Sequence, residues 1–366
     1  MLTPQALPGD RITDVAGVVV GHHGRLDDDV VIGTDTEPGR GWATGTTVVV
    51  VPDGAVTAVD VRGGGPGTRE TDLLDPVNTV LGAQAIVLSG GSAYGLSAAD
   101  GVMRSLEEAG RGLSMDLLGH VVPIVPAAVI FDLPVGGWHR RPDAGFGAAA
   151  LSAAAADFAI GTIGAGTGAR AGALKGGVGT ASLTVHDGPA SGLTVGVLVI
   201  ANPVGAVIDP ATGLPWGGED LDHHGLTAPA ATEVAAHAEL TAKGTVLNTT
   251  IGVVATDATL SVGGARRLAM SGHDGLARAI RPAHSPMDGD TLFAVATGQK
   301  TADPEKAVPM PPGMDADAPV VAALCEAAAT VTRRAVVSAV LAATAVGTVP
   351  AYRDVLGSAF GERPAG

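Results

Sequence analysis

The chain is poor in aromatic rings, in charged side chains and in cysteine. Aromatics make up 3% of its 366 residues, Asp, Glu, Lys and Arg together 16%, and Cys325 is the one thiol. Each shortage excludes a class of function. So few rings leave almost no platform on which unpaired bases could stack. A formal net charge of −15 supplies no basic footprint for a phosphate backbone, so nucleic acid is not an expected partner. An acidic surface instead leans toward amine-bearing ligands. A lone cysteine closes no intrachain disulfide, and the opening MLTPQALPGDRITD has neither the basic nor the apolar region of a secretory signal; both point to the cytoplasm. No membrane span is expected: Ala335 to Val346 falls short of the ~20 residues a bilayer needs, and 121–133 is broken by Pro123, Pro126 and Asp132.

What is abundant points to a large core. Hydrophobic residues reach 46%, with 54 glycines and 24 prolines, a composition that lets layers approach closely. The length suits one or two domains. Two β-rich runs, GTTVVVV and GAVTAVDV, flank the turn Pro52-Asp53-Gly54. AIVLSGG reads as a strand leading into a helix that stops at Gly110, with free N–H groups expected at Gly90-Gly91-Ser92. An alanine-rich helix is expected over Gly147 to Ala159, and a strand pair joined around Asn202-Pro203. A further helix is expected from an N-cap at Thr227, with Pro229 in its first turn, to Gly244. TTIGVVATDATL and DTLFAVATG read as strands around the helix GGARRLAMSGHDGLARAI, and a proline-rich linker, Asp303 to Pro312, precedes a last helix over Pro319 to Ala345. Paired strands with helices gathered before and after imply packed sheets covered by helices.

The stretch Asn248-Thr249-Thr250 opens one of these strands. Taken alone it reads first as a polar turn before a strand, and second as a chemical site: Thr249 attacking the carbonyl of Asn248 would pass through an ester to a new N-terminus. A threonine at such a terminus carries its own base, since an α-amine has a pKa near ~8. The neighbouring histidines in GHHGRLDDD and EDLDHHG lack metal-ligand spacing, so no metal or other cofactor is expected. GAGTGARAGALKGG lacks the ending of a phosphate loop.

LNTTIGVVATDATL, together with GGSAYGLSAADG, VPAAVIFDLPVG, KGGVGTASL, ANPVGAVIDP and HSPMDGDTLFAVATG, resembles a family of self-cleaving aminopeptidases. Its members include L-aminopeptidase/D-esterases, β-aminopeptidases and nylon-oligomer hydrolases. The resemblance implies an α+β fold, a four-layer αββα sandwich of the N-terminal-nucleophile type with its own chain order. It also implies a single domain over 1–366 that is cut at Asn248-Thr249 into 1–248 and 249–366, and a homotetramer. Thr249 matches the nucleophile, Lys175 the lysine beside it, and Asn202 the oxyanion donor. Asp288 and Asp290 match a carboxylate pair expected to orient the amine of Thr249 and hold Lys175 charged. Phe131 stands where the family offers a tyrosine hydroxyl, which leaves Tyr94 or a backbone N–H to serve as second donor. The implied activity is hydrolysis of short peptides, amides or esters, with 6-aminohexanoate oligomers or β-peptides as alternatives. A homologue that binds a small molecule and never cleaves is the reading from another class, and cleavage one residue later would make Thr250 the nucleophile.

Overall fold

The computed structural model describes residues 9–216, 218–240 and 248–361. One five-stranded sheet is built from β1 (Val19–Leu26), β2 (Ala43–Val50), β4 (Thr68–Arg69), β5 (Ala85–Ser89) and β8 (Ala127–Val129), in the order β1-β2-β5-β8-β4. The other contains β3 (Val56–Val61), β11 (Gly177–Thr184), β12 (Thr194–Ala201), β13 (Ile251–Ala258) and β14 (Thr291–Lys300), in the order β11-β12-β13-β14-β3. Two small hairpins pair β6 (Leu113–Ser114) with β7 (Val121–Val122) and β9 (Arg170–Ala171) with β10 (Leu174–Lys175). The helices are α1 (Ala98–Glu108), α2 (Ala144–Ser152), α3 (Leu221–His224), α4 (Ala231–Ala238), α5 (Val262–Ala279), α6 (Ala318–Leu341) and α7 (Tyr352–Val355).

Strand alternation sends one set of side chains to each side of a sheet. Val48 and Val50 of β2 join a core with α1 and α2, whereas Val49 and Val51 join Leu198, Ile200, Val253 and Phe293 of the second sheet. On that sheet's far side, Val197, Val199, Val254 and Leu292 pack against Leu268, Leu276, Val336 and Val340 of α5 and α6. Both faces of β2 and β13 are therefore apolar, which is why these strands read as near-continuous hydrophobic runs. The Pro52-Asp53-Gly54 turn closes through Ala55 N–H to Pro52 O at 3.1 Å, with Gly54 at φ 82°. It passes the chain from the first sheet to the second rather than making a hairpin.

Several local expectations are corrected. The helix expected over Gly147 to Ala159 begins at Ala144, where Asp143 caps Phe146 N–H, and ends at Ser152. Beyond it Ala155 pairs its backbone with Val20 in β1, which a continuing helix would forbid. The segment after Asn202-Pro203 forms only isolated bridges, Ala206 to Arg281 and Ile208 to Pro215; the hairpin partner of β12 is β11. Helix α4 starts after Ala230, because Thr227 donates both its N–H and its hydroxyl to Ala359 O; Gly244 lies outside the described residues. At Gly90-Gly91-Ser92 the N–H groups are taken by Gly45 O, Asp132 Oδ1 and Ile130 O, so no open anion cradle exists there. The glycine-rich 164–176 segment folds as a tight turn and the β9–β10 hairpin, in keeping with its lack of a phosphate-loop ending. Among the described residues no helix is long and apolar enough to cross a membrane.

Candidate active site

Register gathers the sequence-selected residues at one edge of the second sheet. Strand β13 runs antiparallel to β12 and parallel to β14, so the residues before β13, after β12 and before β14 share that edge. These are Thr249, Asn202 and the Asp288–Asp290 turn. Gly177 of β11 faces Ala201, which brings Lys175 to the same edge, and Thr291 faces Val61, which brings the glycines after β3. Asn202, Lys175, Asn248, Thr249, Thr250, Asp288 and Asp290 are all buried.

Thr249 donates its N–H to Asn202 O at 3.1 Å, while its hydroxyl donates to the carbonyl oxygen of Asn248. That same carbonyl accepts the N–H of Gly289 at 3.1 Å. A side chain at 289 would not fit, since a Cβ would stand 2.7 Å from Thr249 Oγ1 and 2.8 Å from Gly65 O. The hydroxyl, the peptide bond before it and a backbone donor aimed at that bond's oxygen thus share one crowded space.

The two carboxylates hold backbone on either side. Asp290 Oδ1 accepts Thr250 N–H at 2.8 Å, and its Oδ2 accepts the N–H of His284 at 3.1 Å and meets His284 Nδ1 at 2.8 Å. Asp288 Oδ1 accepts Val204 N–H at 3.1 Å, and its Oδ2 accepts the Ser285 hydroxyl at 2.7 Å. Burial raises the Asp288 carboxyl above its usual value; the Ser285 hydrogen bond opposes this and the charge of Asp290 adds to it. For His284, burial favours the neutral ring, but the hydrogen bond and charge of Asp290 outweigh it and raise the net value.

Lys175 is fully buried, and its ammonium donates to Gly166 O and Gly176 O, both at 2.8 Å. Burial pushes it down to about 7, opposed by the charge of Asp132 and reinforced by that of Arg170. The carboxylate acting on Lys175 is therefore Asp132, not the Asp288/Asp290 pair. Sequence reasoning passed over Asp132, although a lone acid inside VPAAVIFDLPVG was a signal. Burial lifts its carboxyl to about 6, against hydrogen bonds from Thr44 Oγ1 and Gly91 N–H, both 2.6 Å. It missed His284 as well, one residue ahead of the serine that bonds Asp288.

Asn202 Oδ1 accepts Arg170 N–H at 2.9 Å, which fixes the amide so that Nδ2 is its donor; that nitrogen lies 3.4 Å from Phe131 O. Asn202, Arg170 and Phe131 line a cavity of about 600 Å³ whose walls include Ile32, Leu133 and Trp138. Phe131 thus stands beside Asn202 as the motif alignment implies. Tyr94 does not: it is 55% exposed, under the guanidinium of Arg141 at 3.8 Å from the ring centre.

The chain matches Peptidase family S58 over residues 10–352. It is 56% identical over 356 residues to an uncharacterized aminopeptidase of Mycobacterium tuberculosis, covering 96% of this chain and 99% of that protein. It is 34% identical over 267 residues to a 6-aminohexanoate-oligomer endohydrolase of a Kocuria species, covering 70% of each. In fold it resembles the L-aminopeptidase D-Ala-esterase/amidase of Ochrobactrum anthropi, described as a variant of the Ntn hydrolase fold, with a TM-score of 0.67 and 24% identity over 95% of this chain and 90% of that one. With a family match over residues 10–352, nearly its whole length, the chain belongs to peptidase family S58.

Proposed function

We propose that the protein is an aminopeptidase or amidase that matures by cutting itself between Asn248 and Thr249, with Thr249 as N-terminal nucleophile. One observation carries the reading: the Thr249 hydroxyl touches the carbonyl of the bond it would break, while Gly289 N–H polarises that carbonyl. In the first step Thr249 Oγ bonds to the Asn248 carbonyl carbon as the C–N bond breaks and the nitrogen takes up a proton. Water then hydrolyses the ester, releasing the Asn248 carboxylate and a free Thr249 amine. In turnover this amine takes the hydroxyl proton as Oγ attacks a substrate carbonyl and returns it to the leaving group; water resolves the acyl-enzyme. Asn202 Nδ2 serves the oxyanion, and a backbone N–H such as that of Gly289 replaces the hydroxyl missing at Phe131. The Lys175 ammonium adds positive charge at the same edge.

The cavity beside Asn202 supports a short acyl chain as substrate. Its walls are largely apolar, and the exposed Asp35 and Glu37 suit a free amine. A 6-aminohexanoate oligomer also fits that description, which the 34% identical relative favours as the second reading. Three contiguous cores support the four-layer αββα arrangement and a single domain over 1–366. Exposed Met115, Leu117 and Leu118 beyond β6 support a homo-oligomer, with a tetramer as the proposed size, and the lone thiol supports a cytoplasmic setting.

Denaturing mass spectrometry with N-terminal sequencing tests the cleavage. Wild-type protein should give fragments 1–248 and 249–366, while Thr249→Ala stays one chain and loses more than about 10³-fold of its activity on aminoacyl amides. Hydrolysis by an intact wild-type chain, or a smaller fragment starting at Thr250, would overturn the assignment. Side-by-side rates on aminoacyl amides and aminohexanoate oligomers choose between the substrate readings.

A further inference from the structure

Asp290 holds the backbone immediately after Thr249, and what holds Asp290 is His284. We propose that His284 acts as a positioning residue, its cationic ring and backbone N–H together keeping the Asp290 carboxylate aimed at Thr250 N–H so that Thr249 is held in place for attack. This rests on the reading of Thr249 as the nucleophile.

The geometry favours the charged ring. His284 Nδ1 faces Asp290 Oδ2 at 2.8 Å, and Nε2 faces the carbonyl oxygen of His273 at 3.3 Å. Both neighbours are acceptors, so only the doubly protonated ring supplies a proton to each; either neutral tautomer turns a lone pair on an oxygen. The His284 N–H also points at Asp290 Oδ2, at 3.1 Å. To place N–H and ring on one carboxylate oxygen the residue takes φ 56°, a left-handed conformation that side-chain-bearing residues rarely adopt. The observed outlier and the carboxylate it serves thus belong to one device.

Among the described residues the ion pair made by Asp290 is the one with His284, at 2.8 Å. The ring of His273, on α5, lies 4.9 Å from that of His284 but is pushed down to about 4 by burial, and its Nε2 meets Asp60 O at 2.9 Å. The Asp60 carboxylate at the end of β3 is itself engaged by Arg62 at 2.9 Å, and Arg62 also reaches Asp274 at 3.6 Å. On the other side stand Asp288 and Asp290. Loss of the His284 proton would leave that pair without its adjoining positive charge.

The test uses the whole chain in two backgrounds. In Thr249→Ala protein, which the nucleophile reading keeps intact, ¹⁵N-histidine NMR should show one ring, absent after His284→Asn, protonated at both nitrogens at pH 6 and titrating above pH 6.5. In otherwise wild-type protein, His284→Asn tolerates the positive φ and can donate one hydrogen bond but cannot become a cation. It should lower kcat by about tenfold, leave KM within about twofold and remove the corresponding ionisation from the pH profile of kcat. His284→Ala should lose more, with His284→Asn restoring part of it. A His284 ring neutral at pH 6, or an unchanged kcat and pH profile in His284→Asn, would overturn the proposal. A wild-type chain that never cleaves would sink the nucleophile reading instead, while the NMR titration still judges the His284–Asp290 pair.

Discussion

Lys175 and Asp132 form a buried pair of opposite sign in which each resists the effect of burial on the other. Burial alone would neutralise both, yet the lysine stays at about 7 because a carboxylate is near. If the ammonium is the working form, activity that depends on it is present below its pKa and falls as pH rises through it. Asp132→Asn is close to isosteric and can keep both the Gly91 N–H and the Thr44 hydroxyl contacts, with the Thr44 hydrogen turned. Removing the charge lowers the lysine pKa further, so the alkaline limb of kcat/KM should move to lower pH. At pH 7.5 the variant should lose about tenfold, with partial recovery toward pH 6. An unshifted limb would show that Asp132 does not set the state of Lys175. Thr249, Asn202, Asp288 and Asp290 were legible because each sits in a short motif at a strand end. His284 was not, and of Asp132 the sequence shows only a lone acid in an apolar run, because what each does lies in what it touches: Asp132 bonds a threonine 88 residues away.

At the scale of elements, the close approach of helix α6 to strand β11 rests on Gly179. A Cβ there would stand 2.0 Å from Ala335 O and 2.5 Å from Ala339 N, both backbone atoms of α6 that cannot move without displacing the helix. Gly179→Ala should therefore destabilise by about 1–3 kcal/mol through overpacking, read as a lower urea midpoint in the uncleaved Thr249→Ala chain. Gly263→Ala is the control. It lies exposed in the first turn of α5, its Cβ would meet only Ser261 Oγ at 3.8 Å, and alanine there should stabilise by about 0.5–1 kcal/mol. Equal midpoints for Gly179→Ala and its parent would refute the packing argument. Strands β2, β3, β5, β12, β13 and β14 and the two long helices were legible as apolar runs and from periodicity. The helix ends at Ser152 and Ala231 were not, because long-range bonds decide them: Ala155 pairs with Val20, and Thr227 with Ala359.

At the scale of the whole molecule, the proposed cut would divide a sheet rather than a linker. Fragment 249–366 holds β13, β14, α5 and α6, and the order β11-β12-β13-β14-β3 sets its two strands between β12 and β3 of fragment 1–248. Separating the pieces would open a ladder on each flank and expose the apolar faces of Val253, Phe293 and Val295 to water. Hydrogen bonds across both ladders and burial across both cores would survive such a scission, because Asn248-Thr249 lies before β13 and not within it. The cleaved protein should therefore contain both fragments in equal number in native sedimentation and size-exclusion experiments, and urea should release them in one cooperative transition. Separation of the fragments at neutral pH without denaturant would show that the interdigitated sheet does not hold the mature protein together.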